Sequence, residues 1–446
     1  MKKVALHNLG CKVNSYELDV MQQLLEQRGY EIVPFEDVAD IYIVNTCTVT
    51  NIADRKSRQM LHRAKQKNPR AVVVAVGCYV QTGLENVKKD DCIDLAIGNN
   101  RKKDIVQILD EYFESGEKTL NSTTVPDLAG PAPYEEMKLE KTAEHTRAYI
   151  KIQDGCNQFC TYCAIPLARG RIRSRKEEDI VGEITGLVKK GYKEIVLTGI
   201  HISSYGLETG QFYDGQSKLM DLIETIAKIP GLERIRLSSL EPRVVTKEVA
   251  KRLAAIDKVC PHFHLSLQSG CDSVLKRMNR QYTTQQFMEG VEALRMAYDN
   301  PAITTDVIVG FPGETEEEFE ITKEFLKKIE FYEMHIFKYS KRKGTVAAGM
   351  PGQLTEAVKA QRSDVLFEIE DAQSKAFRKA HLGRKVSVLW EEVKRIEGEE
   401  YLLGHTMDYV LIAIPASDAE KEGIKAGEIT EVTTVKMLTD NILLGQ

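Results

Sequence analysis

The sequence predicts an α/β chain of three units: an N-terminal doubly wound parallel sheet, a central partial (βα)6 barrel, and a small antiparallel β-barrel at the C-terminus. Three observations carry this. Strand and helix patterns alternate through the first stretch of about 115 residues and resume at Arg147, as in parallel sheets. Glu114 to about Glu144 is rich in Ser, Thr, Pro, Gly and charge and separates the two runs. After Gly383 the pattern changes to short β-like stretches with glycine at their breaks. A chain of 446 residues is also too long for one core. The expected divisions are 1–115, a linker over 116–144, 145–375 and 376–446.

Within the first unit, Lys3–Leu6, Asp40–Val44, Ala71–Val76 and Leu95–Ile97 read as strands. Ser15–Arg28, Ala53–Lys67 and Lys102 to about Phe113 read as helices, the first closed by Gly29 and the second by Asn68-Pro69. Cys11, Cys47 and Cys78 each follow one of these strands. The carboxyl ends of parallel strands share one edge, where ligands bind, so the three can converge. Gly10 and Gly77 precede two of them and let backbone approach a bulky ligand. The alternative is three unrelated buried cysteines.

The central unit opens with Tyr149–Ile152, followed by Gly155-Cys156-Asn157-Gln158-Phe159-Cys160-Thr161-Tyr162-Cys163. Thiolates suit iron–sulfur clusters, copper or zinc. A closed zinc site takes four ligands, usually as two close pairs. Three cysteines on a four-iron cluster leave one iron open to another ligand; the alternative is a zinc knuckle completed from a distance. Further strands are expected at Glu194–Leu197, Arg234–Leu237, His262–Leu267, Ala302–Val309 and Met334–Tyr339, with helices between them. Six repeats are too few for a closed eight-stranded barrel. A long helix is expected from Leu354 to about Ala380, then β-like stretches at Lys385–Trp390, Tyr401–Ala413 and Ile429–Lys436.

Composition fits a soluble globular chain, with 42% hydrophobic and 28% charged residues. No apolar run reaches the roughly 18–20 residues of a membrane span. The N-terminus soon meets His7, Asn8 and Lys12, so no signal peptide is expected and the protein is expected in the cytoplasm. There, nine cysteines point to metal ligation rather than disulfides. A net charge of −5 neither announces nor excludes nucleic-acid binding, which needs only a local patch.

The CxxxCxxC spacing, with an aromatic residue before its last cysteine, resembles the radical S-adenosylmethionine (SAM) superfamily. Leu9-Gly10-Cys11-Lys12-Val13-Asn14, Asn45-Thr46-Cys47-Thr48-Val49-Thr50 and Gly77-Cys78 extend the resemblance to the radical-SAM methylthiotransferases over nearly the whole length. Gly383–Glu391 and Gly404-His405-Thr406-Met407-Asp408-Tyr409 resemble the TRAM module, implicated in RNA binding, with Asp408 where Asn is frequent. Family variants modify isopentenyladenosine or threonylcarbamoyladenosine in tRNA, or an aspartate of a ribosomal protein. The Gly-Cys-Lys-Val-Asn opening and Thr198-Gly199-Ile200-His201 with Tyr205-Gly206 resemble the threonylcarbamoyladenosine branch.

The resemblance implies two [4Fe–4S] clusters, one on Cys156, Cys160 and Cys163 and one on Cys11, Cys47 and Cys78. SAM on the first yields a radical that takes hydrogen from carbon 2 of the modified adenine. The second presents sulfur, and another SAM supplies the methyl group. Such a reaction leaves the hard chemistry to cofactors and orientation to the protein. A tRNA anticodon loop and an electron donor such as flavodoxin or ferredoxin are the implied partners. Candidate SAM contacts are Tyr162, Thr198, Gly199, Ser239, Glu241, Gln268, Val309 and Gly310, most of them at ends of barrel strands. Arg280 is a candidate carboxylate anchor, or a surface arginine. Arg169, Arg171, Arg173 and Arg175 leave the cysteine loop directly and are expected either to meet tRNA phosphates or to form a solvated basic loop.

Overall fold

The computed structural model describes residues 2–121, 124–142, 146–208 and 217–446. Five parallel strands form the N-terminal sheet: β1 (Lys3–Asn8), β2 (Glu31–Val33), β3 (Ile41–Thr46), β4 (Val72–Gly77) and β5 (Leu95–Ile97), in the order β2-β1-β3-β4-β5. β3 and β4 are buried along their whole length and read as unbroken apolar runs because helices cover both faces. Two apolar clusters, one on each face, hold the sheet.

The central unit pairs β6 (Ala148–Asp154), β7 (Arg173–Ser174), β8 (Glu194–Gly199) and β9 (Arg234–Leu237) in the order β7-β6-β8-β9. β10 (His262–His264), β11 (Ala302–Val309) and β12 (Glu333–Lys338) form the order β10-β11-β12. Parallel bridges Ile235↔Val259 and Leu240↔Leu265 join the two sets, so the parallel strands run in sequence from β6 to β12 around one wall. Ile195, Leu197, Ile235, Leu237, Phe263 and Leu265 face the helical layer and share one core. By the two-residue period, Glu194, Arg234, Arg236, His262 and His264 face the lumen.

The N-terminal unit closes the open side of this barrel. Its helix Lys12–Arg28 lies against β6 and β8. Across the gap, the half-turn before helix Asn51–Lys67 meets the segment after β12: buried Arg342 bonds Thr48 Oγ1 at 2.6 Å, Asn51 Oδ1 at 2.7 Å and Asp54 at 2.7 Å. Arg342, in the basic run Lys341-Arg342-Lys343, is therefore a contact between the two units rather than a solvated side chain. The expected linker also differs from a loose tether. Val125, Leu128, Met137 and Leu139 are buried, and Tyr16 donates to the Met137 carbonyl at 2.5 Å. Apolar residues spaced through the Ser/Pro/Gly-rich stretch turn it into a strap across both units; residues 122–123 and 143–145 lie outside the described residues.

A closed barrel of β13 (Lys385–Ile396), β14 (Glu399–Thr406), β15 (Leu411–Pro415), β16 (Ile429–Thr439) and β17 (Ile442–Gly445) ends the chain, ordered β13-β14-β15-β17-β16. The expected stretch Tyr401–Ala413 is two strands, because Tyr409 takes φ +72° and reverses the chain. That turn plugs the N-terminal mouth of the central barrel. His262 stacks on Tyr409 at 4.9 Å, and Arg236 Nη1 donates to the Met407 carbonyl at 2.9 Å. Among the described residues no helix is long and apolar enough to cross a membrane.

Asp408 has a structural partner. His381, just beyond helix Glu356–Lys379, directs Nε2 at the Asp408 carboxylate and Nδ1 at the Phe377 carbonyl, 3.0 Å away. Both ring nitrogens face acceptors, so the doubly protonated imidazolium fits. Burial lowers the His381 pKa, but the hydrogen bond and charge of Asp408 outweigh it, and the net shift is upward. A raised histidine contributes stability that is complete below its unfolded value of about 6.5 and is lost as pH rises through its folded value. The thermal midpoint of the wild type, relative to Asp408→Asn, is expected to fall between pH 6 and pH 8.5; a pH-independent difference would contradict the pairing.

Candidate active site

β1, β3 and β4 are neighbours in register, with Asn8 opposite Asn45 and Thr46 opposite Gly77. Cys11, Cys47 and Cys78 therefore leave one edge side by side, at the switch in strand order between β1 and β3. Cys11 is the N-cap of helix Lys12–Arg28, which starts three residues before the expected Ser15. Cys78 opens helix Cys78–Val87. Helix N-termini carry partial positive charge and favour thiolate there. Gly10 (φ +111°) is obligatory: a Cβ would stand 3.1 Å from Cys47 Cβ and 3.2 Å from its Sγ. Burial pushes the Cys47 thiol up to about 11, and Cys78 and Cys11 add to the shift. Asn99 Nδ2 lies 3.5 Å from Cys78 Sγ and 2.8 Å from the Ala168 carbonyl.

The second set sits on the loop after β6. Gly155 (φ +71°) admits no side chain, since a Cβ would fall 1.8 Å from the Arg171 carbonyl oxygen. The loop is pinned by backbone: Cys156 N–H to the Gly170 carbonyl at 3.0 Å, Thr161 N–H to Met278 at 3.0 Å, and Ala347 N–H to Thr161 at 2.8 Å. Burial pushes the Cys156 thiol up to about 11 and the Cys163 thiol up to about 12, with Cys160 adding to both. Arg280 is not a surface arginine. Its Nη1 donates to Cys160 Sγ at 3.1 Å, its Nε bonds Tyr282 Oη at 3.0 Å, and its guanidinium lies over that ring. Three half-buried thiols on one short loop, with a guanidinium aimed at one of them, fit thiolates around a polynuclear metal group. The first set passes the same test through the cradle that a Cβ at Gly10 would fill.

The remaining candidates differ in what they present. Tyr162 is half-buried, packed against Phe311 and Tyr339, and lines a cavity of about 220 Å³. Gln268 (φ +70°) lines the same cavity. Thr198 is buried, 3.3 Å from Ser238 Oγ, and Gly199 lets the chain pass Gln153 closely. Ser239 is exposed. Glu241 is buried and forked by Arg243, at 2.5 and 3.0 Å. The Val309 side chain belongs to the helix-facing core, leaving only its backbone for a ligand. Gly310 (φ +72°) is required because a Cβ would meet Lys359 Cγ at 2.4 Å.

The basic run is corrected by burial. Arg169, Arg173 and Arg175 are 0%, 3% and 2% exposed, and only Arg171 reaches solvent, stacked on Phe159. Arg175 pairs with Glu136 and Glu183, and Arg173 Nη2 lies 3.4 Å from Asp154. Arg169 bonds Glu17 at 2.8 Å, Asn14 Oδ1 at 2.6 Å and Asp154 at 3.2 Å. Alternation in β7 and a short helix turn these arginines inward, a placement that composition does not encode. Glu17, Asn14 and Asn99 were not expected at the site; their one sequence signal is polar character inside otherwise apolar, strand-flanking segments.

An open (βα)6 barrel whose first strand delivers a three-cysteine loop defines a radical SAM protein. The radical SAM superfamily model matches residues 150–326, and the model described as "Uncharacterized protein family UPF0004" matches residues 3–98. The threonylcarbamoyladenosine tRNA methylthiotransferase MtaB of Bacillus subtilis is 41% identical over 94% of this chain and 91% of its own. That of Aquifex aeolicus is 41% identical over 90% and 95%. The tRNA-2-methylthio-N(6)-dimethylallyladenosine synthase of Desulfitobacterium hafniense is 34% identical over 93% and 92%. The chain belongs to the radical-SAM methylthiotransferase family, enzymes that use a [4Fe–4S] cluster and SAM. The radical SAM methyltransferase TsrM of Kitasatospora setae shares the fold, with a TM-score of 0.55 at 16% identity over 76% of this chain and 75% of that one.

Removing one partner from a buried ion pair costs about 3–5 kcal/mol, because the charges left behind are unpaired. Glu17→Gln is expected to lower the denaturation midpoint by a shift of that order; an unchanged midpoint would mean that the network is dispensable.

Proposed function

We propose that this enzyme adds a methylthio group to carbon 2 of N6-threonylcarbamoyladenosine beside the anticodon of tRNA. Cys156, Cys160 and Cys163 hold the SAM-binding [4Fe–4S] cluster, and Cys11, Cys47 and Cys78 hold a second. The observation that carries this reading is a cavity lined both by Tyr162 and Cys163 of one cysteine loop and by Val49 and Thr50, which follow Cys47. A base held there lies against both cysteine loops. When bound, the clusters and SAM supply one-electron chemistry, sulfur and a methyl group.

The chain's own residues bind and orient. Arg280 sets a fixed positive charge beside Cys160, suited to thiolate and to the SAM carboxylate. Tyr162 offers an aromatic wall for an adenine. The Thr198, Ser239 and Glu241 positions end successive strands and offer hydroxyl and carboxylate oxygens to the SAM ammonium and ribose. Gln268 fixes the cavity floor, and the Val309-Gly310 backbone offers an edge for the SAM base. Ile165, Ile308 and Phe337 add apolar surface to the same cavity. Arg171, exposed on the cysteine loop's flank, serves tRNA phosphate or an acidic electron donor such as flavodoxin or ferredoxin.

In a host lacking this modification, expression of the chain is expected to convert threonylcarbamoyladenosine in tRNA to its 2-methylthio form, measured by nucleoside mass spectrometry. The Cys156→Ala and Cys47→Ala variants are each expected to abolish it. Methylthiolation of dimethylallyladenosine or of a ribosomal protein aspartate instead would overturn the substrate assignment.

A further inference from the structure

The wall of the central barrel carries a further set of metal-ligating side chains, built without cysteine. Phe263, Leu265, Ile303, Val307 and Met334 face the helical layer. By the two-residue period, His264, Thr304, Asp306 and His335 turn the other way, into the lumen. Strand register brings them together: His264 stands opposite Thr304, and Asp306 opposite His335. One ligand atom from each of His264, Asp306 and His335 lies within 4.8 Å of the others. The two imidazoles stack with ring centroids 5.7 Å apart. Asp306 also lines the cavity of about 220 Å³ that Gln268 and Cys163 line, so the set borders the proposed site without belonging to either cysteine group.

A metal-binding histidine is commonly held in place through its other ring nitrogen. His264 is held that way, with Nδ1 3.0 Å from the hydroxyl oxygen of buried Thr304. Its Nε2 lies 3.4 Å from Asp306 Oδ2. That is long for an N–H···O bond, and among the described residues this buried Nε2 makes no hydrogen bond. A set that served only to fill the barrel would close the pair. The surface trio of His62, Asp90 and Cys92 does so, with His62 Nε2 2.8 Å from Asp90. The wider separation suits a shared ion instead: two ligands about 2.1 Å from one metal at the tetrahedral angle stand about 3.4 Å apart. Two imidazoles and a carboxylate suit zinc or iron(II), whereas magnesium and calcium favour oxygen ligands throughout. Three protein ligands leave a position for water or another oxygen donor. We propose that His264, Asp306 and His335 bind a mononuclear divalent transition-metal ion, of the zinc or iron(II) class, on the barrel wall beside the cavity. The site is separate from the two proposed clusters and independent of which adenosine is modified.

The test uses anaerobically reconstituted holoenzyme, dialysed against zinc ion and freed of loosely held metal by gel filtration. Zinc, iron and sulfide per chain are then counted. The wild type is expected to hold one zinc more than His335→Ala and one more than Asp306→Asn, with iron and sulfide unchanged in both variants. The His335 side chain is exposed, so its truncation leaves the packing intact. His62→Ala is expected to match the wild type. Thr304→Val, which removes the partner of His264 Nδ1, is expected to weaken zinc binding by about 10- to 100-fold. Because the readout is a difference between variants, zinc taken up by cysteines does not mimic the result. Equal zinc in the wild type and His335→Ala, or undiminished affinity in both Asp306→Asn and Thr304→Val, would overturn the proposal. A wild type that holds the extra zinc but gains no iron would instead overturn the two-cluster reading and leave this site standing.

Discussion

Glu17 is buried among cations from three distant parts of the chain. Lys102 follows the last strand of the N-terminal sheet, Lys151 lies on the first barrel strand, and Arg169 ends the helix after the three-cysteine loop. Each of the three side chains is fully buried. Asp154, at the end of β6, shares Lys151 at 2.7 Å and Arg169 at 3.2 Å. The attraction in such an interior is large, and so is the desolvation it must offset. What the network secures is geometry. Arg169 also bonds Asn14, whose amide holds the Leu9 carbonyl at 2.7 Å and the Thr46 carbonyl at 3.1 Å. One chain of hydrogen bonds therefore runs from the loop of the second cysteine set to the residues flanking Cys11 and Cys47.

Other features follow from that fixed relation. A partial barrel has an open flank, and here a whole α/β unit fills it, with its cysteine edge turned toward the lumen. The terminal barrel closes the opposite end by inserting the Met407–Tyr409 turn among Arg147, Arg236 and His262. The remaining approach is the mouth where the strands end, beside Tyr162, Gln268 and Phe337. In the proposed reaction a nucleotide drawn out of its loop would enter there, between the loop of Cys163 and the residues just after Cys47. The proposed pair of clusters requires such a shared cavity, because the atom activated by one must be within reach of the other.

Much of this was legible in the sequence wherever one local pattern decides the outcome. The apolar runs of β3 and β4 and the cysteines following strands belong to that class. Long-range choices were not. Arg169, Arg173 and Arg175 look like a basic surface because carboxylates as far away as Glu17 are invisible to a local reading. The Pro- and Gly-rich strap looks like a tether because its buried Val125, Leu128, Met137 and Leu139 are too widely spaced to form a period. Asp408 reads as a departure from a motif until His381 is seen against it.

The central claim is that two sets of three cysteines hold two clusters across one cavity. Iron and sulfide should be counted in anaerobically reconstituted wild type and in the Cys156/Cys160/Cys163→Ala triple variant. Reductive SAM cleavage should be measured in both. The account predicts about eight irons falling to about four, with cleavage lost. About four irons falling to none would leave Cys11, Cys47 and Cys78 as structural residues and contradict it.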